Sequence, residues 1–195
     1  MNLERMIMQI EQLTYTIAGL SPLLLNNPRG MLAQSSAAPS RQKRIPTPEE
    51  EAEGGTYRTA EGVIAVPAIA VRNAMITAAA GFKYKTRSWK GFVSHVEIRP
   101  AELLALYDSR DEPVTSYEID LRRAVIKGRG AVARARPMIR DWRTSFTFVA
   151  DTEMLPTDDP KGLLRSFLLD AGARIGIGDY RPEKTGWFGR FTVLE

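Results

Sequence analysis

The stretch GIGDYRPEKTGWFGRF, residues 176–191, constrains this chain more than any other. It holds Gly176, Gly178, Gly186 and Gly189 around Pro182, and an apolar, helix-like run comes just before it. Glycine adopts backbone conformations that other residues avoid and lets two backbones approach closely. Such a segment continues neither a helix nor a strand, so the chain must turn through it to reach a last strand, GRFTVLE. A helix cap and a tight return account for Gly172 and Gly176. They leave Arg181, Lys184, Trp187 and Arg190 unexplained, and these side chains suit phosphates and stacked bases. A dinucleotide fingerprint is excluded: Arg181 stands where the third glycine belongs, and the loop runs from helix to strand, the reverse of that motif. No G-K-[ST] occurs, so there is no Walker loop.

The rest of the chain is organised by its periodicities. Alternation in MIMQIEQLTYTIAGL predicts a strand over 6–18, with Met6, Met8 and Ile10 on one side and Gly19 and Pro22 bending or ending it. Residues 27–55 are rich in Pro, Ser, Ala and charge with no apolar period, which predicts a long mobile insertion. Its sign switches from Arg41, Lys43 and Arg44 to a Glu49–Glu53 run expected to be solvated. Pro67 then opens a helix with Ile69, Asn73, Ile76 and Ala80 on one face, stopped by Gly81. FKYKTRSWKGF reads as a basic-aromatic loop, VSHVEIRP as a strand, and AELLALYD as either a helical turn or a strand. Residues 117–151 read as two or three strands. Within them Arg134 and Arg136 share one face, because strand side chains repeat every two residues, and Trp142, Thr144, Phe146 and Phe148 share another. Asp159 caps and Pro160 starts a second helix that buries Leu163, Leu164, Phe167, Leu168 and Ala171 and ends at Gly172. The expected class is therefore α+β, a ferredoxin-like β-α-β-β-α-β antiparallel sheet in one domain over 1–195, with 27–55 as its insertion.

Composition removes much chemistry. There is no cysteine and only one histidine, His95, so disulfides, thiolate zinc sites, cysteine nucleophiles and most histidine chemistry are excluded. His95 is expected as a hydrogen-bonded strand residue. Asp158 and Asp159 suit a helix start, Asp179 is expected to pair with Arg181, and no acidic cluster has metal-site spacing. No metal or cofactor is expected. No apolar run approaches the roughly 20 residues of a membrane span, and the opening residues lack a signal-peptide layout, so a soluble, cytoplasmic protein is expected. Net charge is only +4, but its distribution is uneven. Residues 122–143 carry eight basic side chains against Asp141 alone, whereas 102–120 carry six acids and one arginine. That asymmetry suggests one face for a polyanion and another for solvent or a basic partner.

Two stretches interleave cations with aromatics. One places Lys83, Lys85, Arg87 and Lys90 among Phe82, Tyr84, Trp89 and Phe92; the other, RARPMIRDWR, brings Arg134, Arg136, Arg140, Trp142 and Arg143. Binders of single-stranded nucleic acid combine a cationic groove with aromatic platforms. Phe92, Trp142, Phe146 and Phe148 are expected in the core, with Trp89 and Trp187 as stacking candidates.

A first strand ending in GLSPLLLNN, a long insertion, a proline-started helix with an arginine (VPAIAVRNAM) and the terminal glycine loop resemble the RAMP superfamily of RRM-like RNA-binding proteins. The layout is most similar to the backbone subunits of CRISPR effector complexes. The resemblance implies a non-catalytic subunit that polymerises head-to-tail along a guide RNA, contacting copies of itself and other effector subunits. It implies that residues 27–55, with Arg29, Arg41, Lys43 and Arg44, form a thumb over the RNA, and that Arg72 lies near the phosphates. Gly176 and Gly178, with Arg174, Arg181, Lys184, Trp187 and Arg190, would lie beside the strand. Subunits of this kind that cut RNA carry an aspartate after the first strand; residues 19–60 here contain none, so binding without cleavage is expected. A single-stranded DNA coating or annealing protein of a mobile element remains the alternative. An enzyme using Asp179 and a purely structural subunit are the remaining classes.

Overall fold

A computed structural model describes residues 9–29, 46–126 and 130–194. Met6, Met8, Arg41, Lys43, Arg44, Lys127 and Arg129 lie outside these residues. In chain order the first half contains β1 (Ile10–Gly19), β2 (Leu23–Leu24), α1 (Pro48–Gly54), β3 (Ala65–Pro67), α2 (Ala68–Ala79), β4 (Lys83–Tyr84), β5 (Arg87–Ser88), α3 (Lys90–Val93) and β6 (Glu97–Arg99). The second half contains β7 (Leu103–Ala105), β8 (Glu118–Ile126), β9 (Gly130–Ile139), β10 (Arg143–Asp151), α4 (Pro160–Asp170) and β11 (Phe191–Val193).

Alternation decides the main sheet. On β1, Leu13, Tyr15 and Ile17 are buried; on β10, Thr144, Phe146 and Phe148 are buried after Trp142. The two strands pair antiparallel from Ile10↔Asp151 to Ala18↔Arg143, which brings these inward sets onto one face. β11 adds outside β1 (Ile17↔Val193) and β6 outside β10 (Phe148↔Ile98), both antiparallel, giving the order β11-β1-β10-β6. Helices α2 and α4 contribute Val71, Met75, Leu164, Phe167 and Leu168 to the same buried cluster. The Tyr15 hydroxyl donates to Lys161 O at 2.9 Å, and burial pushes this phenol well above its ordinary range. The sheet's other face is a hydroxyl ladder, with Thr14 against Thr147 at 2.9 Å and Thr16 against Ser145 at 2.8 Å.

Both main helices differ in detail from expectation. The Asp159 carboxylate accepts the Gly162 N–H at 2.8 Å, as an N-cap should. Gly172, however, does not end the helix. The chain continues through a π-helical turn, Ala171–Ile175, and stops at Gly176, whose φ of 72° is left-handed. A Cβ at Gly172 would lie 1.9 Å from Phe191 O, so this glycine lets the helix touch β11. On α2 the buried residues include Val71, Ala74, Met75 and Ala78, whereas Ile69, Asn73 and Ala80 are exposed. A helix built of Ala, Ile and Val is apolar nearly all round, so its own period does not select the face; the sheet beneath does.

A second sheet, β2-β9-β8, is dominated by the long β8–β9 hairpin, paired from Glu118↔Met138 to Ile126↔Gly130. Helix α1 packs on β9. This helix corrects the expectation of a mobile loop through 55: Thr47 and Glu50 form a capping box, each side chain accepting the other's backbone N–H at 3.3 and 3.0 Å. The pattern T-P-E-E was present in the sequence as a helix start. Nor is the acid run simply solvated. Glu51 accepts the Ala135 N–H at 2.9 Å and pairs with Arg134 at 2.8 Å, and Glu53 holds Arg58 at 2.9 Å and the Tyr117 hydroxyl at 2.8 Å.

Candidate nucleic-acid interface

The glycine loop is built onto the end of the first strand. Gly189 N–H donates to Pro22 O, Asp179 N–H to Leu24 O and Leu20 N–H to Arg190 O, at 2.8–2.9 Å. Ser21 Oγ donates to Trp187 O at 2.7 Å, and Trp142 Nε1 to Ser21 O at 3.0 Å. The glycines make these contacts possible: a Cβ at Gly186 would meet Tyr180 O at 1.7 Å, and one at Gly189 (φ 64°) would meet Ile177 O at 1.8 Å. Trp187 is the exception to this closure, with 65% of its surface exposed.

Arg136 and Arg181 serve the loop's own architecture. Arg136 Nε pairs with Asp179 Oδ2 at 2.6 Å, and its guanidinium lies 4.9 Å from the Tyr180 ring centre. Arg181 turns instead to Glu183 (2.6 Å) and to Gly178 O (3.0 Å), so the expected Asp179–Arg181 pair is replaced by two others. One further nitrogen of Arg136, Nη1, is buried with no partner among the described residues. Arg122 lies 4.6 Å from the Phe188 ring centre.

Between this loop and α2 runs an open cleft of about 370 Å³. Ala70, Asn73 and Thr77 line it from the helix, three and four residues apart and therefore on one face. Ile175, Gly176, Gly178 and Arg181 line it from the loop, and Asn26 and Tyr57 from its far end. Burial pushes the Tyr57 phenol up, against the pull of Arg29. At the other end of the helix, Arg174 approaches Gly81, whose hypothetical Cβ lies 3.3 Å from the guanidinium, and Arg174 itself pairs with Asp170.

Past Gly81 the chain forms a tight hairpin, β4–β5, with Lys83↔Ser88 and Tyr84↔Arg87 in register. Its stability comes from an aromatic cluster beneath it: Trp89 lies 5.5 Å from Tyr84, 5.3 Å from Phe92 and 5.7 Å from Phe167. Trp89 is thus a buried anchor and is unavailable for stacking on a ligand; Phe92 is only partly buried. Lys83, Lys85, Arg87 and Lys90 are all exposed and make no ion pair among the described residues. Arg29, Lys184 and Arg190 share that condition.

Other expected residues are placed elsewhere. Arg72 donates to the carbonyls of Ser94 and Val96 and so ties α2 to the approach to β6. Arg140 pairs with Glu118 at 2.8 Å and Arg143 with Asp111 at 3.2 Å. His95 precedes β6 in a turn, and both its ring nitrogens are buried without a partner among the described residues, contrary to the expected hydrogen-bonded strand histidine. Sequence reasoning missed Asn26, Tyr57, Asn73 and Thr77 as cleft residues, because no local pattern marks residues that meet only where α2 lies beside the loop. Among the described residues there is no group of three or more His, Cys, Asp or Glu that could hold a metal, and no helix is long and apolar enough to cross a membrane. The chain matches no protein-family model and no curated protein.

Proposed function

We propose that this chain binds single-stranded RNA without cutting it, as a backbone subunit of a CRISPR-like effector complex that repeats along the strand. The observation that carries the reading is the pairing, along one helix, of a cleft beside α2 with a cationic hairpin just past that helix's C-terminal end. The cleft is lined by Asn73, Thr77, Gly176 and Gly178, and the hairpin after α2 bears four exposed cations with no ion-pair partner among the described residues. Phosphate contacts supply most of the affinity of such proteins, and fixed cations with neighbouring amides and hydroxyls suit a backbone lying along both. The hydroxyl face of the main sheet is a poor site by comparison. RRM-type binding stacks bases on sheet aromatics, and here Tyr15, Phe146 and Phe148 all face the core. Trp187 is the exposed stacking platform.

Two features support the finer fold reading. The main sheet runs β11-β1-β10-β6, with α2 and α4 between its strands in the chain, an arrangement that supports a ferredoxin-like plan. The insertion follows the first strand, as the RAMP resemblance requires. Binding is tested by fluorescence anisotropy with labelled single-stranded RNA and DNA of one sequence, using wild type and a Lys83/Lys85/Arg87/Lys90→Gln variant. Tighter binding to RNA, weakened by the variant, is expected. Tighter binding to DNA moves the assignment to a single-stranded DNA coat. No binding at low salt, or binding indifferent to the hairpin, overturns the proposal. Particles purified from cells that collapse under RNase alone are the expected sign of assembly along RNA.

A further inference from the structure

Strand β8 is the outer strand of the second sheet, and among the described residues nothing pairs with its far edge. The direction of its backbone groups follows from its neighbour. Ala135 N–H donates to Glu51 at 2.9 Å, and Pro137 O accepts from Leu25 N–H at 3.1 Å, so both residues of β9 turn these groups away from β8. In an antiparallel ladder, opposed residues either exchange both hydrogen bonds or both point outward. Leu121 opposes Ala135 and Ile119 opposes Pro137. Leu121, Ile119 and, two residues on, Arg123 therefore present N–H and C=O to the open edge. Their side chains are also uncovered, with Leu121 60% and Ile119 38% exposed.

An edge of this kind accepts another strand, and its own sequence specifies one. Set antiparallel against itself about Leu121, IDLRR places Asp120 opposite Arg122 of the second copy, Leu121 opposite Leu121, and Ile119 opposite Arg123. Moving the axis by one residue in either direction sets Asp120 against Asp120 or Arg122 against Arg122, and like charges directly opposite destabilise a pair. We infer that β8 pairs with β8 of a second copy of this chain, antiparallel about a two-fold axis through Leu121. The pairing is isologous. Leu121 exchanges both backbone bonds with its counterpart, and each Ile119 does so with the opposing Arg123. The Asp120–Arg122 pairs of the two copies (2.7 Å within each) lie side by side as a row of alternating charge. This contact is independent of the nucleic-acid reading and survives its failure.

The test uses full-length protein freed of nucleic acid by nuclease and high salt. Sedimentation equilibrium should give a dimer. Leu121→Lys, which opposes two ammonium groups at the axis, and Leu121→Pro, which removes an outward N–H without touching the β9 ladder, should each weaken dimerisation more than tenfold. The circular dichroism of Leu121→Lys should match wild type. Because the chain has no cysteine, Leu121→Cys should be captured as a dimer by a short bismaleimide, while Leu20→Cys, equally exposed just past the end of β1, should not. A wild-type monomer at every concentration overturns the inference. So does a dimer indifferent to both Leu121→Lys and Leu121→Pro, or equal capture at the two cysteine positions.

Discussion

Two basic stretches of similar composition end in opposite conditions. In the β4–β5 hairpin, Lys83, Lys85, Arg87 and Lys90 stand in solvent above a buried aromatic cluster. Along β9 and its turn into β10, Arg134, Arg136, Arg140 and Arg143 are each held by a carboxylate, from Glu51, Asp179, Glu118 and Asp111. The first set has no ion-pair partner among the described residues; the second is neutralised by its own fold. A count of lysine and arginine does not separate a ligand surface from a scaffold. The positions of the acids do, and those acids come from 22 to 84 residues away for Glu118 and for Glu51's contact with β9.

The largest expected effect lies in the loop that Arg136 of β9 supports. Gly186→Ala drives a Cβ into Tyr180 O and should lower unfolding stability by about 3 kcal/mol in urea titrations. A neutral result would mean that the loop is not closed on itself. Next, neutralising the four hairpin cations should cost RNA affinity about 100-fold at low salt. It should also reduce the slope of log K against log salt by about 3, with thermal stability nearly unchanged. Arg134→Gln with Arg140→Gln should leave that slope unaltered; equal losses from the two sets would erase the contrast. Arg136→Ala should cost roughly 2 kcal/mol of stability by stranding Asp179, and a double-mutant cycle with Asp179→Ala should recover part of it.

The smallest effect is a pH dependence. Hydrogen bonding from Arg58 holds the Glu53 carboxyl below its usual range, and Tyr117 adds to this against the opposing effect of burial. A depressed folded-state pKa contributes stability that is present above the ordinary carboxylate pKa and lost as pH falls through the lowered one. Glu53→Gln should therefore cost less than about 1 kcal/mol at neutral pH, the pair being partly exposed, and the difference from wild type should shrink as pH falls below the ordinary carboxylate pKa and through the lowered one.

Much of the scaffold was legible because it rests on local rules. Alternation placed Trp142, Thr144, Phe146 and Phe148 inside, Asp159-Pro160 started α4, and the glycine-dense stretch became a closed turn. The capping box of α1 is equally local, but it sits within a stretch whose composition reads as loop. The candidate site was less legible. Hairpin cations and loop glycines were expected, but Asn26, Tyr57, Asn73 and Thr77 join the cleft only because α2 lies beside the loop.

By itself the sequence determined the periodic elements, their caps and the glycine turn, since each depends on residues within a few positions of one another. Only the tertiary structure decided which face of α2 is buried, that Trp89 is an anchor, and which arginines are paired. Those outcomes depend on where distant segments meet, and a buried side chain or a neutralised charge is a property of both partners.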